Sequence, residues 1–196
     1  FYKNIQDGNK PTLKNLLEIL KKEWLSDGYS SKKHEEERFA QAVKMMEEFY
    51  KTELKKPTRT LGLEMPFSFV LKNNVKVFGK IDRVDKKSNG IEIIDYKTGG
   101  NNPKAKTAHE LQLKIYALAA TRIKDNIFNR DPKDITLTLH FLEGNTKKTM
   151  NFKQEDSNRL EDELIEKIAE IEKSDFKCSK NVLCVNCEYK MLCNVS

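Results

Sequence analysis

A mixed α/β fold, with a central β-sheet flanked by helices, is predicted by three features of this 196-residue sequence. Apolar residues recur with helical period in four segments. They alternate with polar residues, at strand period, in five shorter runs bounded by turn residues. The elements come in the order α, α, β, β, β, α, β, β, α, which yields one mixed sheet with helices around it. A cysteine-rich tail closes the chain, and there is no internal repeat or low-complexity segment.

Residues 12–27 read as a helix because Leu13, Leu16, Leu17, Leu20 and Trp24 form one apolar stripe, with Gly28 as the stop. A second helix runs from Lys32 to about Leu54, burying Phe39, Val43, Met46 and Tyr50, and Pro57 closes the helical region. In the next run Leu63, Met65, Phe67 and Phe69 alternate with Glu64, Pro66 and Ser68, and "KNN" at 72–74 supplies a hairpin turn. Pro66 places this strand at a sheet edge or a bulge. The return strand spans about Val75 to Val84, "DKKSNG" turns the chain again, and "IEIIDYK" is the third strand. Residues 106–124 form a helix that sets Gln112 and Tyr116 at i and i+4. "DITLTLHFLEG" and "TKKTMNFK" are two further strands joined at Gly144-Asn145, and 157–173 is a helix on Leu160, Leu164, Ile168 and Ile171. The expected organisation is one unit over 1–176, with N-terminal helices at 12–54 and a core at 60–173. A tail at 177–196 packs on the same unit.

Hydrophobic residues make up 38% and charged residues 34%, the balance of a soluble protein with a wet surface. No apolar run approaches the ~20 residues that span a bilayer, and "FYKNIQDGNK" has no signal-peptide core. A membrane role is therefore not expected. Because the chain opens on Phe1, the expectation is a domain of something longer. The net charge of +6 suits a polyanionic partner, nucleic acid above all. All four cysteines, Cys178, Cys184, Cys187 and Cys193, lie in the last stretch of chain, where disulfides could not tie distant parts together. That crowding favours a metal site in a reducing, cytoplasmic compartment. The spacing C-x5-C-x2-C-x5-C contains a chelating C-x2-C bite, and zinc and an iron–sulfur cluster are both chemically reasonable.

The run "GKIDRVDKKSNGIEIIDYKTGG" at 79–100 carries charges in mid-strand. Side chains alternate faces along a strand, so Ile91, Ile93, Asp95 and Lys97 share one face and Tyr96 lies opposite. With Asp82 on the antiparallel neighbour and Glu64 on the strand before it, three strands aim Asp82, Asp95, Glu64 and Lys97 at one place. Two or three carboxylates hold Mg²⁺ or Mn²⁺. The ion activates water and offsets charge on a phosphoryl oxygen. A neighbouring lysine orients or deprotonates that water, or stabilises the transition state.

Together, "GKIDRVD", "IEIIDYKTGG", "HELQLKIYALAA" and the cysteine pattern resemble the RecB-type branch of the PD-(D/E)XK nuclease superfamily, over roughly residues 60–196. The branch includes nuclease domains that follow UvrD-like helicase motors. The resemblance implies a restriction-endonuclease-like core and a metal-dependent DNA nuclease, exonuclease in type, within a helicase–nuclease of DNA repair or recombination. The substrate implied is single-stranded DNA or duplex ends, and the partner a helicase motor in the same or another chain. It implies that Asp82 and Asp95 are metal ligands, that the Tyr96 carbonyl completes the shell, and that Lys97 is catalytic. Gln112 and Tyr116 then lie beside the site, with Glu64 at an accessory acidic position. It further implies an iron–sulfur cluster held by Cys184, Cys187 and Cys193 with a cysteine far upstream, Cys178 being a substitute ligand or a bystander. The family's metal-binding histidine is expected before Phe1. His34 reads as a solvated helix residue, His109 as a helix-end surface residue and His140 as an ordinary strand residue. Asp85 reads as a turn residue, while Lys80 and Arg83 read as solvating. The alternative function is a catalytically silent DNA-binding or scaffolding module of the same fold.

Overall fold

Two hydroxyl caps start the N-terminal helices. Thr12 accepts the Asn15 amide at 3.2 Å and opens α2 (Leu13–Lys22), and Ser31 accepts the His34 amide at 3.1 Å and opens α3 (Lys32–Glu53). The computed structural model describes residues 1–55 and 58–175, together with Cys184 and Cys187. The sequence did not announce a short first helix, α1 (Tyr2–Gln6), whose five residues are too few to show periodicity. The helix at 13–22 stops five residues before Asp27, and Gly28 sits in the following loop at φ +88°. The position assigned to Pro57 lies outside the described residues.

Five strands form one sheet in sequential order: β1 (Thr60–Val70), β2 (Lys76–Lys87), β3 (Gly90–Lys97), β4 (Ile135–Phe141) and β5 (Thr146–Asn151). All neighbours are antiparallel except β3 and β4, which run parallel, joined through α4 (Lys106–Arg122). A parallel pair needs such a crossover, and here it carries α4 across one face of the sheet. The last helix, α5 (Gln154–Lys173), packs on α4, where Arg122 and Glu161 form a two-pronged ion pair at 3.0 and 2.5 Å.

The face under α4, called the front below, is apolar along most of its length. Val84, Ile93, Leu137 and Leu139 are fully buried there against Leu113, Ala117 and Ala120 of the helix. Each such aliphatic side chain stabilises the fold by about 1.5–3 kcal/mol. The alanines let the helix lie close, and a larger residue at Ala117 would overpack a contact with no free space. Strand β1 of the β1–β2 hairpin reaches α4. The Phe67 ring lies 5.6 Å from Tyr116, and Gly79 opposite Phe67 leaves room for that ring, because a Cβ there would approach it to 2.8 Å.

The opposite face, the back, receives α1 and α3. The aromatic that α3 buries is Phe49, not Tyr50, and its ring stacks on His140 at 5.7 Å and meets Tyr96 edge-on at 6.1 Å. Gly90 turns the chain between β2 and β3 at φ +128°, where any side chain would collide with the Asp134 carbonyl. Strand β2 runs on to Lys87, so the turn shrinks to Ser88-Asn89 and Asp85 lies inside the sheet. Among the described residues no helix is long and apolar enough to cross a membrane.

Candidate active site

The front face changes character where β2 and β3 part. Their register pairs Val84 with Ile93 and Arg83 with Ile94, and one further step sets Asp82 opposite Asp95. There the strand ladder gives way to a side chain, and the Tyr96 amide donates to Asp82 Oδ2 at 2.8 Å. Asp95 is 2% exposed, and Lys97 follows on the same face with its Nζ 2.7 Å from Asp95 Oδ2. That approach is an ion-pair contact without hydrogen-bond alignment, so Asp95 Oδ2 stays buried with no aligned donor. Lys97 instead directs its donor to Gln112 Oε1 at 2.7 Å, and Gln112 Nε2 donates to the Tyr116 hydroxyl at 2.6 Å. One helical turn of α4 thus orients the lysine from above, through residues spaced i and i+4.

Burial and neighbouring negative charge both act on the pocket. Burial raises the Asp82 carboxyl above the ordinary aspartate value, and the charges of Asp95 and Glu64 raise it further. The Tyr96 amide and Lys97 oppose this without cancelling it. Burial likewise raises the Tyr116 hydroxyl, with Asp95 and Asp82 adding to the effect. Two carboxylates facing each other, with one lysine ammonium between them and the helix, make a donor set suited to a hard divalent cation. Among the described residues no three histidine, cysteine or carboxylate side chains gather closely enough to hold an ion.

Glu64 stands apart from the pair. It opposes Asp82 in the β1–β2 register, but its backbone is left-handed at φ 50° and its carboxylate is turned to Lys80 at 2.5 Å, both side chains about 60% exposed. Lys80 is therefore a partner for Glu64 rather than a merely solvated residue. Asp82, Asp95, Lys97, Gln112 and Tyr116 come together, with Glu64 at the rim and the Tyr96 peptide between the two aspartates.

Arg83 and Asp85 are not the solvating and turn residues the sequence suggested. Both are 1% exposed on the back face, two residues apart and so on one side of the strand. The Arg83 guanidinium makes a two-pronged contact with Asp85 and donates to Thr58 at 3.0 Å and to the Tyr96 hydroxyl at 2.8 Å. It also lies 3.4 Å from the Tyr2 ring centroid and close to Glu53. Glu53 in turn accepts from Tyr2 and from Lys147 at 2.6 Å. The histidines take three different settings, and His140 lies on a strand, β4, as expected. His34 is held by Ser30 at 3.0 Å and Arg38 at 3.3 Å. His140 is fully buried, bonded to Asn145 at 2.7 Å. His109 lies three residues before Gln112, with its ring 6.2 Å from Phe141 and its Nδ1 buried without a partner. It lies on α4 about one turn before Gln112. Of the tail, Cys184 and Cys187 are described, with the Cys187 amide 3.4 Å from the Cys184 carbonyl, while Cys178 and Cys193 lie outside the described residues.

A mixed sheet flanked by helices, with facing carboxylates and a lysine where two central strands part, is the architecture of restriction-endonuclease-like nuclease folds. The chain belongs to the PD-(D/E)XK nuclease superfamily, whose family profile matches residues 1–194. The match takes in the N-terminal helices as well as the core from residue 60. Members of this superfamily are usually metal-dependent nucleases. No curated protein matches the chain. Among solved structures it is similar to one described as "Crystal structure of SSO0001", with a TM-score of 0.46, 14% identity and 93% of each chain covered.

Proposed function

We propose that this chain is a metal-dependent deoxyribonuclease of the RecB type, the nuclease part of a helicase–nuclease acting in DNA repair or recombination, with exonuclease action on single strands or duplex ends. The observation that carries the reading is the Asp82–Asp95 opposition, with Lys97 held beside it by Gln112. Asp82, Asp95 and the Tyr96 carbonyl would hold Mg²⁺ or Mn²⁺, with water in the remaining positions and Glu64 assisting from the rim. Bound there, the ion supplies an activated water and offsets charge on the phosphoryl group.

The chain's own residues do the rest. Lys97 donates to the attacking water or to the charged phosphoryl oxygens. Gln112 keeps that ammonium aimed, and Tyr116 fixes Gln112. The +6 net charge draws the phosphodiester backbone in, so binding weakens with salt. For the tail we propose an iron–sulfur cluster at Cys184, Cys187 and Cys193, with Cys178 or an upstream cysteine as the fourth ligand and zinc as the alternative. The C-x2-C spacing supports a chelating site there.

The test is degradation of end-labelled DNA in Mn²⁺. The expected result is cleavage that Asp82→Ala and Lys97→Ala each abolish. Salt-sensitive DNA binding without cleavage would instead identify a catalytically silent DNA-binding module.

A further inference from the structure

Beside the catalytic strand lies a groove that the proposed chemistry does not use. It encloses about 580 Å³ between the α2–α3 region and the chain on either side of the site. Its floor is apolar, formed by Leu20, Met45, Met46 and Leu142. One wall is an aromatic pair: Trp24 and Tyr29 lie parallel to within 6°, their centroids 5.9 Å apart. The far wall is Thr98 and Gly99, which follow Lys97 directly. The groove therefore begins within one or two residues of the lysine, roughly 4–8 Å along the backbone.

Its rim is polar and prearranged. Arg38 is aimed by the His34 ring at 3.3 Å and by the Gln41 carbonyl at 2.9 Å, neither of which is a carboxylate. Gln41 in turn bonds Glu143 at 3.3 Å across the groove mouth. Among the described residues Glu143 is the one acidic side chain lining the groove, and it is engaged in that bond. An apolar groove with a wall of two mutually stacked rings and a guanidinium at its mouth matches one chemistry well, a nucleobase packed on that aromatic wall with its phosphate at the arginine. A base inside a duplex must first be unpaired and unstacked to enter, which disfavours it against an unpaired base.

We propose that this groove is a nucleobase subsite, which takes one unpaired base of a single strand whose neighbouring phosphodiester lies at Asp82 and Asp95. The inference rests on the nuclease reading and adds to it a residue-level basis for preferring unpaired strands. Trp24 and Tyr29 stack the base, and Arg38 pairs with its phosphate.

Trp24 is the only tryptophan, so its fluorescence reports on the groove directly. Wild-type protein in EDTA, where no cleavage occurs, is titrated with a short oligothymidylate, an abasic strand of equal length, and a blunt duplex. The oligothymidylate is expected to quench Trp24, and the abasic strand and duplex are not. Tyr29→Ala should weaken oligothymidylate binding on the order of tenfold, while Tyr29→Phe retains it, which separates stacking from loss of folding. Arg38→Ala should weaken the abasic strand and the oligothymidylate alike. Equal quenching by abasic and normal strands, or unchanged affinity in Tyr29→Ala, would overturn the subsite. Asp95→Asn separates the two readings, because it should lose cleavage in Mn²⁺ and keep the quenching. Quenching without wild-type cleavage would sink the nuclease reading alone, and Asp95-dependent cleavage without quenching would sink the subsite alone.

Discussion

Strands β2 and β3 bury charge on both faces, and the two faces treat it oppositely. On the back, Arg83 sits among Glu53, Asp85, Thr58 and the Tyr96 hydroxyl, and every one of those contacts has its complement. On the front, Asp82 and Asp95 face each other, one carboxyl is raised by its surroundings, and Asp95 Oδ2 has no aligned donor. The same backbone serves both, since Tyr96 gives its amide to Asp82 and its hydroxyl to Arg83. Buried charge that is closed on itself holds a fold together, whereas buried charge left open is available to a ligand.

The largest effect should come from the closed face. Arg83→Ala leaves Asp85 buried without its cation and Glu53 with Lys147 alone, and denaturant unfolding should show a loss of about 3–5 kcal/mol. A loss below about 1 kcal/mol would mean the network is not closed. On the open face the same kind of change should act on chemistry alone. Asp95→Asn should lower cleavage on the order of 10²–10³-fold, with stability in metal-free buffer unchanged or increased, because it removes one of two facing charges. A large destabilisation in that variant would contradict the contrast.

Acid should attack the back face first. Burial lowers His140 below the ordinary 6.5, against the Asn145 bond and the charge of Glu53, with Lys147 and Arg83 adding to the lowering. The folded state therefore binds this proton less readily than the unfolded chain, and stability falls as pH drops below about 6.5. Glu53 is lowered below 4.5 despite its burial, by its bonds to Lys147 and Tyr2 and the charges of Lys147 and Arg83. Its contribution is present above 4.5 and is lost as pH falls through the lowered value. The denaturation midpoint should thus be flat above neutrality and decline in two stages on acidification. A rise on acidification would exclude this network as the source of the pH dependence. The smallest effect is that of Tyr96→Phe, about 1 kcal/mol for one hydrogen bond. Burial pushes the Tyr96 hydroxyl up to about 12, so it remains a donor and acceptor throughout this range. Removing it should leave metal binding unchanged, since the Asp82 contact uses the backbone amide.

The front face was legible in the sequence because Asp82 has the strand parity of Val84, and Asp95 and Lys97 that of Ile91 and Ile93, so parity alone put them on one side. The same parity puts Arg83 and Asp85 together on the other side, and only the extension of β2 to Lys87 shows that they are buried rather than at a turn. Glu64 was legible as a register neighbour of Asp82 but not as a left-handed residue, because φ > 0 at a non-glycine leaves no trace in composition. The choice of Phe49 over Tyr50 was equally hidden. Over a 22-residue helix the apolar stripe drifts, and the back-face pocket beside His140 decides which ring is buried.

The contrast between the faces reduces to one measurement, the thermal shift caused by Mn²⁺ in wild type, Asp95→Ala and Tyr96→Phe, read without DNA. A ligand that binds the folded state alone raises the melting temperature by mass action. The account predicts a concentration-dependent rise in wild type, the same rise in Tyr96→Phe from a slightly lower starting point, and none in Asp95→Ala. A wild type indifferent to Mn²⁺, or an Asp95→Ala variant stabilised as much as wild type, would contradict it.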